Sequence, residues 1–278
     1  IGFTLEKDAG EAFGKYGLND SLKILLNNKV KLVYFSSAHL YLTDIGILKK
    51  IIIGDYHLEF GQGLTLWSGL SFGKSSDATM LKKYGRGLVK NTSVNENRFM
   101  RGVAVSLAFK KLQFTAFYST NTIDANINNI DSIENSQTSG LLETGNHRTI
   151  NELLDAKTQK VNSLGGNLSY KLNDFRLGFS FIHNSFSLQF KPQNEIYKKY
   201  YFTGKENLNM GIDFVYNIKN VHFFGEISAN ERSSVAGIIG NNIFIGKRIV
   251  LSFLYRNYPK DYFNFFNNPI KESTYARN

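Results

Sequence analysis

From Leu208 to Ile218 every second side chain is apolar: Leu208, Met210, Ile212, Phe214, Tyr216 and Ile218 alternate with Asn209, Gly211, Asp213, Val215 and Asn217. A period of two residues places the two sets on opposite faces of a β-strand. The stretch after it repeats the pattern, with Val221, Phe223, Gly225, Ile227 and Ala229 set against His222, Phe224, Glu226, Ser228 and Asn230. Similar alternation occurs over Leu64 to Phe72, Val103 to Phe109, Leu112 to Tyr118, Leu164 to Leu172, Phe175 to His183 and Ile249 to Tyr255. No stretch reaches the ~18 to 20 apolar residues of a membrane-spanning helix. Even Ile51 to Ile53 is bounded by Lys49 and Lys50. The remaining way to satisfy every backbone group inside a bilayer is a closed sheet, whose signal is this weak alternation.

A soluble β-sandwich shares that period, so the connections have to discriminate. Tight turns are expected at Thr43 to Gly46, Lys110-Lys111, Asn173-Asp174, Lys219-Asn220 and Gly246-Lys247, and long loops over 73–97, 121–160 and 189–207. Short and long connections alternate as they do in barrels with short periplasmic turns and long outer loops. To keep the parity, Ile47 to Phe60 and Leu64 to Phe72 must act as one bent strand, with a bulge or an inward-folded segment at Gly61-Gln62-Gly63. The three prolines, Pro192, Pro259 and Pro269, avoid the strand cores, and many of the 24 glycines fall within strands, where they relieve crowding on a curved inner wall. The fold expected is all-β: an antiparallel transmembrane outer-membrane β-barrel occupying residues 1–278 as one domain, with about ten to twelve strands. In the loop 121–160, Thr149 and Glu152 form a capping box for a short helix bearing Ile150, Leu153 and Leu154, placed to fold over or into the barrel mouth.

Neither a secretory signal nor a terminal aromatic residue is present, so the chain reads as part of a longer barrel. Cysteine is absent, which excludes disulfides and thiolate metal sites. The net charge of +10 is scattered, with Lys49-Lys50, Lys82-Lys83 and Lys110-Lys111 near turns, and fits a solvated rim better than a nucleic-acid groove.

No phosphate loop, nucleophile elbow, zinc-protease signature or calcium loop occurs, and the five histidines lack metal-ligand spacing, so no metal and no cofactor is expected. Asp213, His222, Glu226 and Arg256 lie on the inward phase and form a lumen-polar cluster, suited to acid-base chemistry or, more plainly, to filling a narrow barrel with paired charges. Glu143, Asn146, His147, Arg148 and Glu152 surround the helix start, as a ligand clamp or a loop anchor. Glu96, Arg98 and Arg101 cluster at the start of a strand; Arg101 stands on the apolar phase, which requires a bulge or a position at the interface where arginine snorkels. A lipid-modifying hydrolase would need serine beside histidine, and His39 with Ser36 or Ser37, and His183 with Ser185, are the adjacent pairs. A soluble polysaccharide binder would gather its aromatics in one groove.

The blocks Gly54-Asp55-Tyr56, Phe60-Gly61-Gln62-Gly63-Leu64, Glu96 with Arg98-Phe99-Met100-Arg101-Gly102, and Thr144-Gly145-Asn146-His147-Arg148-Thr149 with Glu152 carry a family resemblance. With Phe202-Thr203-Gly204 and Arg256-Asn257-Tyr258, they resemble the barrel region of Bacteroidetes outer-membrane proteins bearing competence-type helix-hairpin-helix repeats. The resemblance carries over no biochemical activity; alternation, loop rhythm and proline placement lead to a non-enzymatic barrel in the bacterial outer membrane, serving as a channel, a transport component or the anchored part of an envelope assembly. Its partners would be outer-membrane lipid and envelope proteins. Nucleic acid would enter only through repeats that this sequence lacks.

Overall fold

The computed structural model describes residues 1–9, 11, 33–71, 77–128, 137–142, 145, 147–192 and 195–271. Fourteen strands form one sheet: β1 (Gly2–Glu6), β2 (Phe35–Ile45), β3 (Leu48–Glu59), β4 (Gly87–Lys90), β5 (Met100–Phe109), β6 (Leu112–Ile123), β7 (Ala125–Asn128), β8 (Gln137–Leu141), β9 (Gln159–Leu172), β10 (Phe175–Phe190), β11 (Gly204–Ile218), β12 (Val221–Asn230), β13 (Val235–Ile245) and β14 (Ile249–Asn257). Eleven of them run as an antiparallel meander, β1-β2-β3-β5-β6-β9-β10-β11-β12-β13-β14. β4 extends the β3 edge, and β7 pairs with β8, which meets β10 in a short parallel contact. Among the described residues β1 and β14 do not pair with each other, so the sheet has two open edges.

Hydropathy is inverted relative to a soluble protein. In β11, Ile212 is 54% exposed while its neighbour Asp213 is 3% exposed. Leu164, Leu168, Phe179, Met210, Ile227, Ile239, Leu251 and Phe253 are likewise exposed, and Ser106, Thr115, Asn167, Ser180, Asn184 and Asn242 are buried. The buried wall is satisfied across strands: Asn167 Nδ2 donates to Ser180 Oγ at 2.8 Å, and Ser163 Oγ to Asn184 Oδ1 at 2.7 Å. A sandwich buries its apolar faces; a sheet with polar residues inside and apolar residues outside is the wall of a transmembrane barrel. This is an all-β, antiparallel outer-membrane β-barrel fold.

Short connections at 46–47, 110–111, 173–174, 219–220 and 246–248 all fall at one end, as the turn chemistry predicts. Asp44, Lys110, Asn173 and Lys219 adopt left-handed backbone there. Phe109, Tyr170, Phe175 and Tyr216 stand on strands near these turns, on the outward phase. At the opposite end lie the long connections, together with the four-residue link 231–234. The prolines fall outside all strands.

Three loop boundaries shift. β4 lies within 73–97. β6 continues to Ile123 and β9 starts at Gln159, and β7, β8 and the helix α1 (Ile150–Asp155) fill part of the interval 121–160. β10 and β11 likewise narrow the third loop to 191–203. Both halves of the capping box are present, and Leu153 is buried beneath α1.

Leu64 to Phe72 is not a strand. Phe72 lies outside the described residues; the rest folds inward, as the parity argument allowed. Phe60 N–H donates to Leu66 O at 3.0 Å and Ser68 N–H to Leu58 O at 2.9 Å, so the chain doubles back along the end of β3. Alternation alone could not distinguish a strand in the wall from a segment packed against its inner side.

Candidate functional site: a tethered plug and a loop-end charge cluster

Residues 60–71, 77–86 and 262–270 pack together inside the sheet. Trp67 N–H donates to Phe266 O at 2.7 Å and Asn268 N–H to Gly63 O at 2.8 Å. Asn264 Nδ2 donates to Leu64 O and Thr65 O, both at 2.8 Å, and Lys83 N–H to Gln62 Oε1 at 2.9 Å. Lys83 Nζ donates to Ser71 Oγ and Asn268 O and stands over the Trp67 ring. Burial pulls this ammonium down to about 7, against the attraction of Glu226 and with added repulsion from Lys271 and Arg98.

The plug is fixed to the wall through Glu226. Its carboxylate accepts the Gln62 N–H at 2.6 Å and the Leu64 N–H at 3.1 Å on Oε2, and the Thr65 N–H at 2.8 Å on Oε1. Gly61 and Gly63 have φ of 61° and 84°, and these left-handed residues on either side of Gln62 turn the N–H groups of residues 62, 64 and 65 toward one anion, as in a backbone nest. A Cβ on Gly61 would lie 2.5 Å from Glu226 Oε2, so both space and backbone demand glycine. On the adjacent strand, Gly211 leaves room for Thr65, whose Oγ1 would be 2.0 Å from an added Cβ. The carboxyl end of the plug is held at Ile270, whose carbonyl accepts from Arg256 Nη1 and Tyr258 Oη, each at 3.2 Å.

Two cavities flank this tethered segment. A cavity of about 250 Å³ on the long-loop side includes Leu64 in its lining; one of about 360 Å³ on the short-turn side includes Phe60, Gly61 and Lys83.

Asp213, Glu226 and Arg256 share one register row with Gly178 and Ile238. Asp213 pairs with Arg176. His222 does not join them: it lies near the turn at 219–220, against Phe244 at 4.9 Å between ring centroids. The expected four-residue cluster is therefore three residues on one row with different partners. The same phase did not mean the same depth.

Arg101 lies on the outward phase without a bulge at that position. It pairs in register with Asp55, and its guanidinium is bidentate to that carboxylate at 2.7 and 2.8 Å. It also donates to Ser36 O at 2.7 Å and lies 5.1 Å above the Phe99 ring. Two of the sequence blocks thus meet face to face, Gly54-Asp55-Tyr56 opposite Met100-Arg101-Gly102. Arg98 turns elsewhere, donating to Asn267 O of the plug at 2.8 Å.

Glu96 joins a different group. Buried His147 has Nε2 at 3.0 Å from Asp124 Oδ2 and Nδ1 at 3.4 Å from Glu11 Oε1 and 3.8 Å from Glu96 Oε2, with Tyr34 stacked at 5.3 Å. Burial lowers the affinity of the imidazole for a proton, but the Asp124 hydrogen bond and the charges of Asp124, Glu96 and Glu11 outweigh it and hold His147 above its usual range. Burial pushes Glu96 up to about 7, opposed by His147 and Lys157 and aided by Asp124 and Glu11. No metal-holding group of three or more such side chains occurs among the described residues. Of the remaining clamp residues, Arg148 and Glu152 build the helix cap: Glu152 Oε2 accepts the Arg148 and Thr149 N–H groups, each at 2.8 Å, which lowers its proton affinity. Glu143 and Asn146 lie outside the described residues. His147 thus lies between Asp124, which follows β6, and Glu96, which precedes β5.

Neither serine-histidine pair foreseen from adjacency forms a hydrogen bond among the described residues. His183 instead lies 3.7 Å from Glu206. A contact between distant residues does form: Ser68 Oγ is 3.5 Å from His57 Nδ1, and His57 Nε2 is 2.8 Å from Asn91 Oδ1. All three are buried, none lines either cavity, and Ser68 Oγ already accepts the Leu58 N–H at 3.0 Å. The ten or more residues between the members hid this arrangement from the sequence, as longer separations hid Asp124, Glu11 and Arg176.

No protein-family model and no curated protein matches the chain. Two solved structures are similar in outline. In-vitro folded OmpT, an outer-membrane protein of Vibrio cholerae in its trimer form, is 9% identical with a TM-score of 0.34, over 92% of this chain and 66% of that one. A loop L8 deletion mutant of the same protein is 8% identical with a TM-score of 0.32, over 81% of this chain and 74% of that one.

Proposed function

We propose that this chain is a non-enzymatic barrel of the bacterial outer membrane whose lumen is closed by its own plug, and that it serves as the membrane-anchored part of an envelope assembly. The observation that carries this reading is the Glu226 carboxylate seated among the backbone N–H groups of residues 62–65, which ties a segment between the two cavities to the wall. The apolar exterior supplies the lipid contact, the aromatic side chains near the short turns suit an interface, and the long connections face outward, away from the periplasm. A passive pore needs a continuous aqueous path, and a segment tied to the inner wall stands against one.

The test is reconstitution of the full chain into liposomes and planar bilayers. The expected result is carbonate-resistant insertion with high strand content and no steady conductance. A monodisperse protein without detergent would refute the membrane assignment; a steady ohmic current from the unaltered chain would refute the closed lumen.

A further inference from the structure

The cavity on the short-turn side is lined by a cation that no carboxylate among the described residues neutralises. Lys82, in the plug segment 77–86, is 8% exposed; its Nζ lies 4.9 Å from the Tyr84 ring centroid, and its ammonium makes no hydrogen bond or ion pair among the described residues. Its charge is felt by Arg176, which lines the same cavity, and by His222. Burial and the Arg176 guanidinium hold the Lys82 ammonium below the ordinary lysine range. A buried ammonium near a second cation is costly until an anion joins it.

The other charges of the lining are committed or screened. Arg86 is bidentate to Glu59, and Lys83 is bound within the plug to Ser71 and Asn268. Lys171 and Asp174 stand exposed at the turn end of the cavity, where solvent screens them. The Arg176 guanidinium donates to Asp213 and to no other group among the described residues, so most of its N–H donors remain for a second acceptor. Asn217 brings the opposite need: it lines the cavity, and its Oδ1 is buried without a hydrogen-bond partner. Register gathers these groups. Arg176 pairs with Val215, on the same inward phase as Asn217, and Asn217 shares a row with His222 and Asn242, whose Nδ2 donates to Thr79 O of the plug segment at 3.5 Å.

We propose that this cavity binds inorganic phosphate, with its anionic oxygens toward Lys82 and Arg176 and its P–OH donating to Asn217 Oδ1. Phosphate supplies both things the lining lacks: negative charge for two cations, and a hydroxyl for the unpartnered oxygen. Sulfate has the same shape but no hydroxyl at neutral pH, and would set an oxygen against Asn217 Oδ1. A phosphate monoester loses its last P–OH proton near pH ~6, so at neutral pH it too mostly lacks that donor. A volume of about 360 Å³ is roughly twelve times a water's share of the liquid, which seats the ion together with several waters.

The full chain, solubilised in detergent, is titrated calorimetrically with phosphate, sulfate and glycerol 3-phosphate at neutral pH and constant ionic strength, with protein-free micelles as the background. Saturable phosphate binding is expected, with sulfate about tenfold weaker, as the loss of one hydrogen bond to a buried acceptor implies. Lys82→Gln should weaken phosphate about tenfold without lowering the melting temperature, since it removes a charge that its surroundings disfavour. Asn217→Leu should leave both ions bound with equal affinity, a change of preference that a merely structural role would not produce. Equal binding of phosphate and sulfate by the unaltered chain would overturn the assignment, as would tighter binding of glycerol 3-phosphate than of phosphate, phosphate binding that neither substitution alters, or none above background. If Lys82→Gln loses strand content, Lys82→Met takes its place. Binding is read without a membrane, so its failure is distinguishable from failure of the anchor reading.

Discussion

Replacing Glu226 by Gln tests whether the plug is held as its geometry implies. The carboxylate receives three backbone N–H groups at 2.6, 2.8 and 3.1 Å, all buried. An amide of nearly the same size keeps one acceptor oxygen and turns an NH2 toward donors that cannot accept it. Hydrogen bonds to a charged group contribute about 1.5 to 3 kcal/mol each, and a stranded buried donor costs a further ~1 to 3 kcal/mol. Losing the acceptor for one or two of the three therefore destabilises the plugged state by about 3 to 5 kcal/mol, a figure that also matches the removal of one partner from a buried charged contact. Gly61→Ala attacks the same docking from the other side, since its Cβ would press on the carboxylate at 2.5 Å while φ stays at 61°. The assay combines planar-bilayer current, Trp67 fluorescence and thermal unfolding for E226Q, G61A and the double variant. Each single change is expected to expose Trp67 and admit intermittent current, and the double variant should lose little beyond the worse single one, because both break one contact. Unchanged current and melting in E226Q would refute the tether; full additivity would show that the two residues act independently.

Three further outcomes follow from the same contacts. At the long-loop end, Glu96 titrates at about 7 in the folded chain against 4.5 when free, so the folded state retains a proton that the unfolded state has released. The resulting stability is complete below pH 4.5 and is lost as pH rises to 7, about 3 kcal/mol over that interval, and the raised His147 adds a loss of the same sign above its ordinary 6.5. Amide exchange in 91–99 and 147–155 should therefore quicken from pH 4.5 to 8 after correction for intrinsic rates, and a slowing would contradict the cluster. Arg101→Ala strands Asp55, which is 1% exposed, and should cost about 3 kcal/mol of thermal stability, with less lost in Arg101→Ala/Asp55→Asn; equal losses would deny the pairing. Ser68→Ala is expected to leave phospholipid turnover by the purified chain at the vesicle blank, as in the unaltered protein; measurable turnover abolished by the substitution would make Ser68, His57 and Asn91 a catalytic group.

Period and turn chemistry were legible because they are local. The alternation in Leu208 to Ile218 assigns each side chain to a face whatever the rest of the molecule does, and the buried and exposed residues of β11 follow it. Asn173-Asp174 and Lys219-Asn220 mark turns, and Thr149 with Glu152 marks a helix start, through contacts spanning a few residues. Depth, partner and occupancy are set by register and by chain returning from far away. Glu226 and His222 share a phase, yet only Glu226 meets the nest of residues 62–65, more than 160 positions earlier. Arg101 looked misplaced on an apolar phase until Asp55 came opposite it across β3 and β5. A period of two residues is enough to give this chain strands with one polar and one apolar face; that the polar face packs on a plug follows only from the fold, because a short-range period cannot specify which distant backbone will supply the donors for a buried carboxylate.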